Sequence, residues 1–368
     1  MERRKAVQTM SLLAAAAALP TAPAAQASVR CAEQLGDDEP HHTTRELVTE
    51  DAMIASDTPN IQLFVRNKRP RSLTQFAEQR ILLYVHGATY PSETAFDLRL
   101  DGLSWMDYIA AHGWDVYLLD LRGYGRSTRP SEMDQPPADN APSVTTDVAV
   151  RDVGTAVEHV LARRGVQRIN LLGWSWGTSV MGAYSARNPE KVRRLVLYAP
   201  LWLRKTPLPA ALQGSVGAYR TVTKDQAKKR WLNGVPESKQ SDLVPPGWFD
   251  TWADATWSTD PAAGAGASAQ LRAPNGVLRD LREYWAAGKP YYDAAAIRAP
   301  TLIALAEWDA DTPAYMAQDL FAALTSAPYK RKVEIGEGTH TIIMEKNRMQ
   351  LFREVQLFLD EPDPMCGG

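Results

Sequence analysis

A serine framed by two glycines is the first candidate for chemistry in this sequence. Residues 173–177 read Gly-Trp-Ser-Trp-Gly, directly after the apolar run 169–172 and directly before a stretch of helical character. In a strand-turn-helix context this G-x-S-x-G pattern is typical of a nucleophile whose hydroxyl stands exposed at the top of a sheet. The start of the helix favours the negative charge that develops there, so Ser175 is predicted to be a nucleophile.

A serine is a weak nucleophile and needs an adjacent base, most often a histidine that a carboxylate orients. The sequence has six histidines, and His340 alone follows the last predicted strand, at the end of the glycine-rich segment 336–340. A loop in that place can bring the imidazole above the sheet. Because the chain order serine, acid, histidine is one of the known orders for such a triad, His340 is predicted to be the general base.

The acid is expected between these two residues, at the end of a strand. Residues 306–313 read Ala-Glu-Trp-Asp-Ala-Asp-Thr-Pro and follow the buried run 302–305. Three carboxylates are available there. Asp309 is preferred because it lies four residues before the proline that opens the next helix, with Asp311 as the rival and Glu307 as the third candidate.

The loop after the predicted strand 81–85 is expected to help bind negative charge. It reads His-Gly-Ala-Thr-Tyr at 86–90, where the glycine permits a close turn of the backbone. The N–H groups of Ala88 and Trp176 are predicted to hold the oxyanion. Because ligand pockets are largely apolar and aromatic, the aromatic residues beside these groups are predicted to bind substrate. They are Tyr90, Trp174 and Trp308.

The elements that must position these residues alternate along the chain. Near-continuous apolar runs predict strands buried on both faces, and they lie at 81–85, 116–119, 169–172 and 195–198. Stretches with apolar 3–4 spacing between them, such as 145–164, predict helices. Segments between residues 44 and 66 alternate apolar and polar and predict half-buried antiparallel strands. The sequence therefore predicts an α/β fold with a mainly parallel sheet and helices on both faces.

The alternation breaks at Pro200 and resumes at Pro300. The interval 201–293 contains six of the eleven tryptophans and is predicted to be a mostly helical cap over the active site. The alternative is a packing subdomain whose tryptophans fill only its own core. The predicted organisation is a signal peptide, a core in two parts and the cap between them, with boundaries at 1–27, 28–200, 201–293 and 294–368.

The N-terminus has the pattern of an export signal. A charged start at residues 2–5 precedes an apolar run at 10–19 and an A-x-A site at 25–27. The mature chain is expected to begin at Ser28 and to be exported, to the periplasm or out of the cell. The pair Arg3-Arg4 leaves both twin-arginine and general secretory export open.

Charge and composition exclude some classes of protein. Lys plus Arg is 41 and Asp plus Glu is 43, a formal net charge of −2, so no nucleic acid partner is predicted. No apolar run of about 18 residues follows the first thirty positions, so no membrane span is predicted. The two cysteines, Cys31 and Cys366, lie at opposite ends of the chain. They either form a disulfide or stay as two separate thiols.

Together these motifs resemble the α/β-hydrolase superfamily over residues 44–359. The resemblance rests on His86-Gly87, Asp120-x-Arg122-Gly123-x-Gly125-x-Ser127, Gly173-x-Ser175-x-Gly177, Asp309 and Gly338-x-His340. It implies the α/β-hydrolase fold and a Ser-His-Asp mechanism on a small molecule, with no metal or organic cofactor. The serine differs from haloalkane dehalogenases and epoxide hydrolases of this fold, which carry aspartate as the nucleophile.

Three hypotheses on function follow. The leading one is an exported serine hydrolase that cleaves a carboxylic ester or lactone with a bulky apolar or aromatic part. The second is an amidase or aminopeptidase, because Trp176 is reminiscent of proline iminopeptidases, although their oxyanion loop usually reads His-Gly-Gly-Pro-Gly. The third is a binding protein of the same fold without catalysis, and the sequence leaves the oligomeric state open. An aminopeptidase would use an acidic residue of the cap to bind the amine, and the candidates are Asp242, Asp250, Asp254 and Glu283.

Overall fold

The computed structural model describes residues 46–208, 214 and 216–362. The predicted signal peptide and both cysteines lie outside the described residues. Within these described ranges, eight strands form one sheet and two more form a separate small sheet. In chain order the strands are β1 (Leu47–Ala55), β2 (Gln62–Pro70), β3 (Ile81–Val85), β4 (Asp115–Leu119), β5 (Ile169–Trp174), β6 (Val192–Tyr198), β7 (Tyr219–Thr223), β8 (Gln270–Pro274), β9 (Thr301–Ala306) and β10 (Lys330–Ile335).

The large sheet has the strand order β1-β2-β4-β3-β5-β6-β9-β10. Only β2 runs against its neighbours, and all pairs from β4 to β10 are parallel. The carboxyl ends of β3, β5 and β9 therefore meet at one edge of the sheet, where an active site of such a fold is built. This confirms the predicted mainly parallel sheet with an antiparallel start.

Helices cover both faces of this sheet. Leu82 and Tyr84 of β3 pack in one hydrophobic cluster, and the alternate residues Leu83 and Val85 pack in the other, because successive side chains of a strand point to opposite faces. No helix in the described part of the chain is long and apolar enough to cross a membrane. The helices are α1 (Ser92–Phe96), α2 (Trp105–Ala111), α3 (Thr146–Arg164), α4 (Trp176–Arg187), α5 (Lys224–Trp231), α6 (Gln240–Leu243), α7 (Trp248–Trp257), α8 (Gly276–Glu283), α9 (Ala314–Ala323) and α10 (Arg348–Asp360).

Local chemistry sets the ends of these elements. Helix α3 buries Val153, Val157 and Val160 on the face that the 3–4 spacing predicts, and it ends at Gly165, whose φ of 66° only glycine adopts without cost. The last helix begins at Arg348, whereas the sequence pattern predicts a start near Met344. Residues 342–344 form a separate buried 3-10 turn, and the extended backbone of Glu345 prevents a continuous helix.

The segment 201–293, called the insert below, connects β6 to the elements before β9. It contains α5 to α8 together with the antiparallel pair β7 and β8, which the sequence did not predict. Its tryptophans pack onto the sheet clusters and not only on one another. Trp231, Trp252 and Trp257 belong to the cluster of α2 and α10, and Trp202 and Trp285 to the other.

Candidate active site

Ser175 forms the turn between the end of β5 and the start of α4. Its backbone lies at φ 56° and ψ −121°, a strained conformation for a residue with a side chain. The two flanking glycines permit this turn. A Cβ on Gly173 would overlap the carbonyl of Gly177, and a Cβ on Gly177 would lie 2.5 Å from the carbonyl oxygen of His86. The predicted elbow is therefore present, and its hydroxyl reaches the surface of a pocket.

His340 and Asp309 lie in direct contact. His340 Nδ1 is 2.8 Å from Asp309 Oδ2, and both side chains are buried. The other nitrogen, His340 Nε2, is buried without a hydrogen-bond partner among the described residues. His340 and Ser175 line the same pocket, so this nitrogen is available to the serine hydroxyl. Such contacts are often long without substrate and shorten when it binds.

The loop after β9 selects Asp309 over its two rivals. The carboxylate of Asp309 accepts the N–H groups of Asp311 and Thr312 at 3.0 and 2.8 Å and the Thr312 hydroxyl at 2.8 Å. These bonds hold it towards His340. The Asp311 side chain instead pairs with Arg230 at 2.8 Å, and Glu307 accepts the N–H of Glu337.

The charges around His340 favour its protonated form. Burial alone lowers the pKa of this histidine, but the negative charges of Asp309 and Asp311 outweigh burial and raise the pKa above its ordinary value. The positive charge of Arg230 opposes this rise. The imidazole is therefore a stronger base than a free histidine.

Aromatic side chains also fix the loop that carries His340. The Trp174 indole N–H and the Tyr198 hydroxyl both donate to the His340 carbonyl, at 3.1 and 2.8 Å. The Trp174 ring lies 5.6 Å from the imidazole, centroid to centroid. Trp174 thus supports the histidine as well as lining the pocket, a role that the sequence did not reveal.

A buried carboxyl, Glu345, connects this loop to the insert. It accepts the Thr339 N–H at 2.9 Å and the Trp231 indole N–H at 2.7 Å. Burial raises the pKa of Glu345 to about 7, although the hydrogen bonds from Thr339 and Trp231 oppose the rise. Helix α5 is thereby tied to the residue before His340.

The loop after β3 lies against Ser175, since a Cβ on Gly87 would lie 2.7 Å from Ser175 Cβ. The N–H of Trp176 is the first of helix α4 and has no partner within the helix. No acceptor for the N–H of Ala88 is found among the described residues. Both residues lie beside Ser175, which is the geometry of an oxyanion site. Thr89, at φ 89°, completes the turn.

His86 holds this loop in place. Burial lowers its pKa to about 4, so the ring is neutral at physiological pH. His86 Nε2 accepts the Leu121 N–H at 3.1 Å, and Nδ1 lies 2.6 Å from the carbonyl oxygen of Gly87. Both ring nitrogens are engaged within the protein, so neither is available to a substrate.

Two spaces open on either side of Ser175. The aromatic pocket, which includes His340, has a volume of about 20 Å³. Its aromatic wall consists of Tyr90, Trp174, Trp231 and Trp252. The arginine cavity has a volume of about 280 Å³. Its charged wall consists of Arg204, Arg220, Arg230 and Asp311, and its apolar wall of Leu201, Val277, Leu278 and Leu281.

The structure does not bring every predicted binding residue to these spaces. Tyr90 and Trp174 line the aromatic pocket, but Trp308 lines neither and packs half-buried against the hydrophobic cluster of α2 and α10. The acidic candidates for amine binding are also elsewhere: Asp254 pairs with Lys224 and Glu283 with Arg279, while Asp242 and Asp250 line neither space. No cluster of three or more metal-ligating side chains occurs in the described chain.

Sequence reasoning missed the three arginines that line the arginine cavity, Arg204, Arg220 and Arg230. It also missed the residues that hold Asp309 and His340 in place. Thr312 had a detectable signal, since a hydroxyl three residues after an aspartate can cap its turn. The sequence contains no such signal for the arginines. Successive ones are 16 and 10 residues apart in the insert, and this spacing fits neither a helix nor a strand period.

Comparisons with known proteins identify the family of the chain. The family profile described as alpha/beta hydrolase fold matches residues 81–347. Proline iminopeptidase of Xanthomonas citri is 33% identical over 129 residues, which are 35% of this chain and 36% of that protein. The match therefore spans about a third of the length of that curated relative.

Solved structures are similar over most of the chain. Bromoperoxidase from Bacillus anthracis has a TM-score of 0.58 at 17% identity and covers 85% of this chain and 100% of its own. A thermophilic esterase from Thermogutta terrifontis has a TM-score of 0.54 at 16% identity, over 84% and 98% of the two chains. At such identities the likeness establishes the fold alone, and it confirms the predicted α/β-hydrolase fold.

Proposed function

The chain belongs to the alpha/beta hydrolase family, and from that premise we propose that it is a serine hydrolase acting on a carboxylic ester or lactone. The observation that carries the proposal is the 2.8 Å contact between Asp309 and His340, which leaves His340 Nε2 free beside the strained Ser175. These residues would supply the nucleophile, the base and the orienting acid of acyl transfer once the serine hydroxyl contacts His340 Nε2.

In the proposed reaction, Ser175 Oγ attacks the substrate carbonyl carbon while its proton passes to His340 Nε2. Asp309 stabilises the resulting imidazolium, and the N–H groups of Ala88 and Trp176 bind the oxyanion of the tetrahedral intermediate. When the intermediate collapses, His340 returns the proton to the departing alkoxide and an acyl-enzyme remains. Water then attacks the acyl-enzyme with His340 as the base, which releases the acid and restores the serine.

A test of the reaction class compares a 4-nitrophenyl ester with the matching 4-nitroanilide, with the 28–368 protein and its Ser175→Ala variant. We expect cleavage of the ester, loss of that activity in the variant, and a phosphonate adduct on Ser175 by intact mass. Equal ester cleavage by both proteins would overturn the proposal and favour a binding protein of the same fold.

A second candidate function is an amidase or aminopeptidase. The partial match to proline iminopeptidase and the tryptophan after the nucleophile favour it. Against it, Asp311 is the one carboxylate among the described residues that line either space, and it is already paired with Arg230. Cleavage of the anilide at a rate comparable to the ester would make this the better assignment.

We further propose that the bulky apolar part of the substrate binds to the apolar wall of the arginine cavity. That space is the larger one, and four aliphatic side chains line it. A series of methyl esters with acyl chains from two to eight carbons tests this. We expect kcat/KM to rise with chain length, and a preference for acetate would count against it.

Export and a cap role for the insert are also proposals. The charged start, apolar run and A-x-A site at residues 1–27 support export, and the insert's contribution of residues to both spaces supports a cap. Fractionation of cells that express the full chain, with N-terminal sequencing, tests the first. We expect a soluble product outside the cytoplasm that begins at Ser28.

A further inference from the structure

The arginine cavity contains more arginine side chains than carboxylates that could pair with them. Asp311 neutralises Arg230 at 2.8 Å. Arg220 contacts only neutral oxygens, the Pro274 carbonyl at 2.8 Å and the hydroxyl of Thr89 among them. Arg204 likewise donates to the Thr206 hydroxyl at 2.9 Å.

No carboxylate forms an ion pair with Arg204 or Arg220 among the described residues. Asp311, which already pairs with Arg230, is also close enough to Arg204 for the charge of Arg204 to lower its pKa. The cavity therefore has three guanidinium groups and one carboxylate. Burial, together with the nearby charge of Arg230, lowers the pKa of Arg220 from its ordinary value. Arg204 and Arg220 are both half-buried, and an excess of one sign of charge in a cavity attracts an anion. Guanidinium groups match the geometry of oxyanions such as carboxylate and phosphate.

The position of His340 indicates which half of the substrate enters this cavity. In the proposed reaction His340 gives its proton to the leaving group, so the alcohol must lie on the side of the imidazole. His340 lines the aromatic pocket and does not line the arginine cavity. The small aromatic pocket therefore receives the alcohol, and the arginine cavity receives the acyl group.

We propose that the acyl group of the substrate carries an anionic end, with Arg204 and Arg220 binding the anion and the apolar wall of the arginine cavity binding the chain before it. The substrate class is an ester of an amphiphilic acid, such as a half-ester of an aliphatic dicarboxylic acid. This inference rests on the proposed function and specifies its substrate. The same chemistry admits a terminal carboxylate or a terminal phosphate.

Arg220 has a second connection that affects the choice of variants. Its guanidinium donates to Thr89, the residue after Ala88 in the oxyanion loop. A change at Arg220 thus disturbs the proposed oxyanion site as well as the anion site. Arg204 contacts neither the loop nor the triad, so Arg204→Gln is the sharper variant and Arg220→Gln the supporting one.

The kinetic test compares monomethyl and dimethyl suberate, which share an acyl chain and a methanol leaving group but differ by one negative charge. We expect the wild type to favour the monomethyl ester in kcat/KM by about tenfold or more, as for one charge-assisted interaction. Added salt should reduce this ratio. Arg204→Gln should reduce it mainly through KM, and the exposed Arg298→Gln should leave it unchanged.

Equal or better hydrolysis of the dimethyl ester by the wild type, with activity that Ser175→Ala abolishes, would overturn the anion site while the proposed function stands. The methyl ester of 7-phosphonoheptanoate has the same six methylenes between the ester carbonyl and the anionic group, and testing it in parallel separates phosphate-type from carboxylate-type ends. A higher kcat/KM for either one assigns the anion.

Binding to the Ser175→Ala protein tests the site without turnover. Calorimetry with suberate, and with 1,8-octanediol as the neutral probe of equal length, should show binding of suberate alone. The triple variant Ser175→Ala, Arg204→Gln, Arg220→Gln should lose it. If suberate binds this way but no ester is cleaved, the anion site stands and the proposed function fails. Equal binding of both probes refutes the anion site.

Discussion

The two sides of Ser175 differ in almost every physical respect. The aromatic pocket is narrow, with about 20 Å³ of space, and the rings of Tyr90, Trp231 and Trp252 pack edge to face around it. The arginine cavity has about 280 Å³ and combines guanidinium groups with aliphatic side chains. Rigid rings discriminate between ligand groups by their shape, whereas guanidinium groups discriminate by charge. We therefore expect the alcohol half of the substrate to be selected by its shape and the acyl half by its charge.

Ser175 lines both spaces and should be required for the hydrolysis of every substrate. Ser175→Ala removes the nucleophile, and we expect kcat to fall by about 10⁵- to 10⁶-fold for both suberate esters. Ser179→Ala is the matched control. That hydroxyl lies one turn further along α4 and donates to the Leu201 carbonyl at 3.1 Å, so its loss should leave kcat within a few-fold. A large effect of the control would mean that helix α4, not the nucleophile, limits the reaction.

Asp309→Asn is expected to have the next largest effect. The amide cannot stabilise the imidazolium, so kcat should fall by about 10⁴-fold. Because Asp309 raises the pKa of His340, the remaining activity should persist to lower pH than in the wild type. Asp311→Asn is the comparison variant, and kcat should fall much less. The reverse order of the two effects would assign the acid to Asp311.

Substrate preference should divide between the two sides. Tyr90→Ala enlarges the aromatic pocket, and we expect kcat/KM for benzyl esters relative to methyl esters to rise about tenfold. Leu278→Ala enlarges the arginine cavity and should shift the preferred acyl length without changing the preference for alcohol. A change of acyl preference in the Tyr90 variant would show that the assignment of the two halves is wrong.

The smallest effect concerns the pH profile. His340 must be neutral to act as a base, so activity falls as the pH drops through its raised pKa, above the ordinary value of about 6.5. Arg230 opposes this rise. Arg230→Gln should therefore move the acid limb of kcat/KM for dimethyl suberate to higher pH. Arg298→Gln, a charge change of equal size on an exposed residue, should leave the limb in place.

The fold follows from local patterns that one sequence displays. Residues such as Leu82 and Leu83 are both apolar because β3 is covered on both faces, and the spacing of Val153 and Val157 turns one face of α3 to the sheet. The glycines beside Ser175 reveal the elbow, because only they permit the close backbone approach that the turn needs. These signals depend on neighbours within about four positions along the chain, so they can be recognised in the sequence alone.

Other features depended on long-range contacts. Asp309 and Asp311 are two residues apart in the same loop, and only the hydrogen bonds of the folded turn decide which one contacts His340. Trp308 has the same aromatic character as Trp174, yet it lies away from both spaces. The antiparallel pair β7 and β8 joins residues about fifty positions apart, and no periodic pattern in the local sequence predicts that pairing.

The sequence by itself thus determined the fold class and predicted a nucleophile and the place of its base, since each prediction depends on a local pattern at the end of a strand. Only the tertiary structure decided what surrounds them. Arg204, Arg220 and Arg230 come from separate parts of the insert and line one cavity together with Ser175 and Trp176. Segments that are distant along the chain come together through tertiary packing, and the local sequence around each arginine does not show which other segments it will contact.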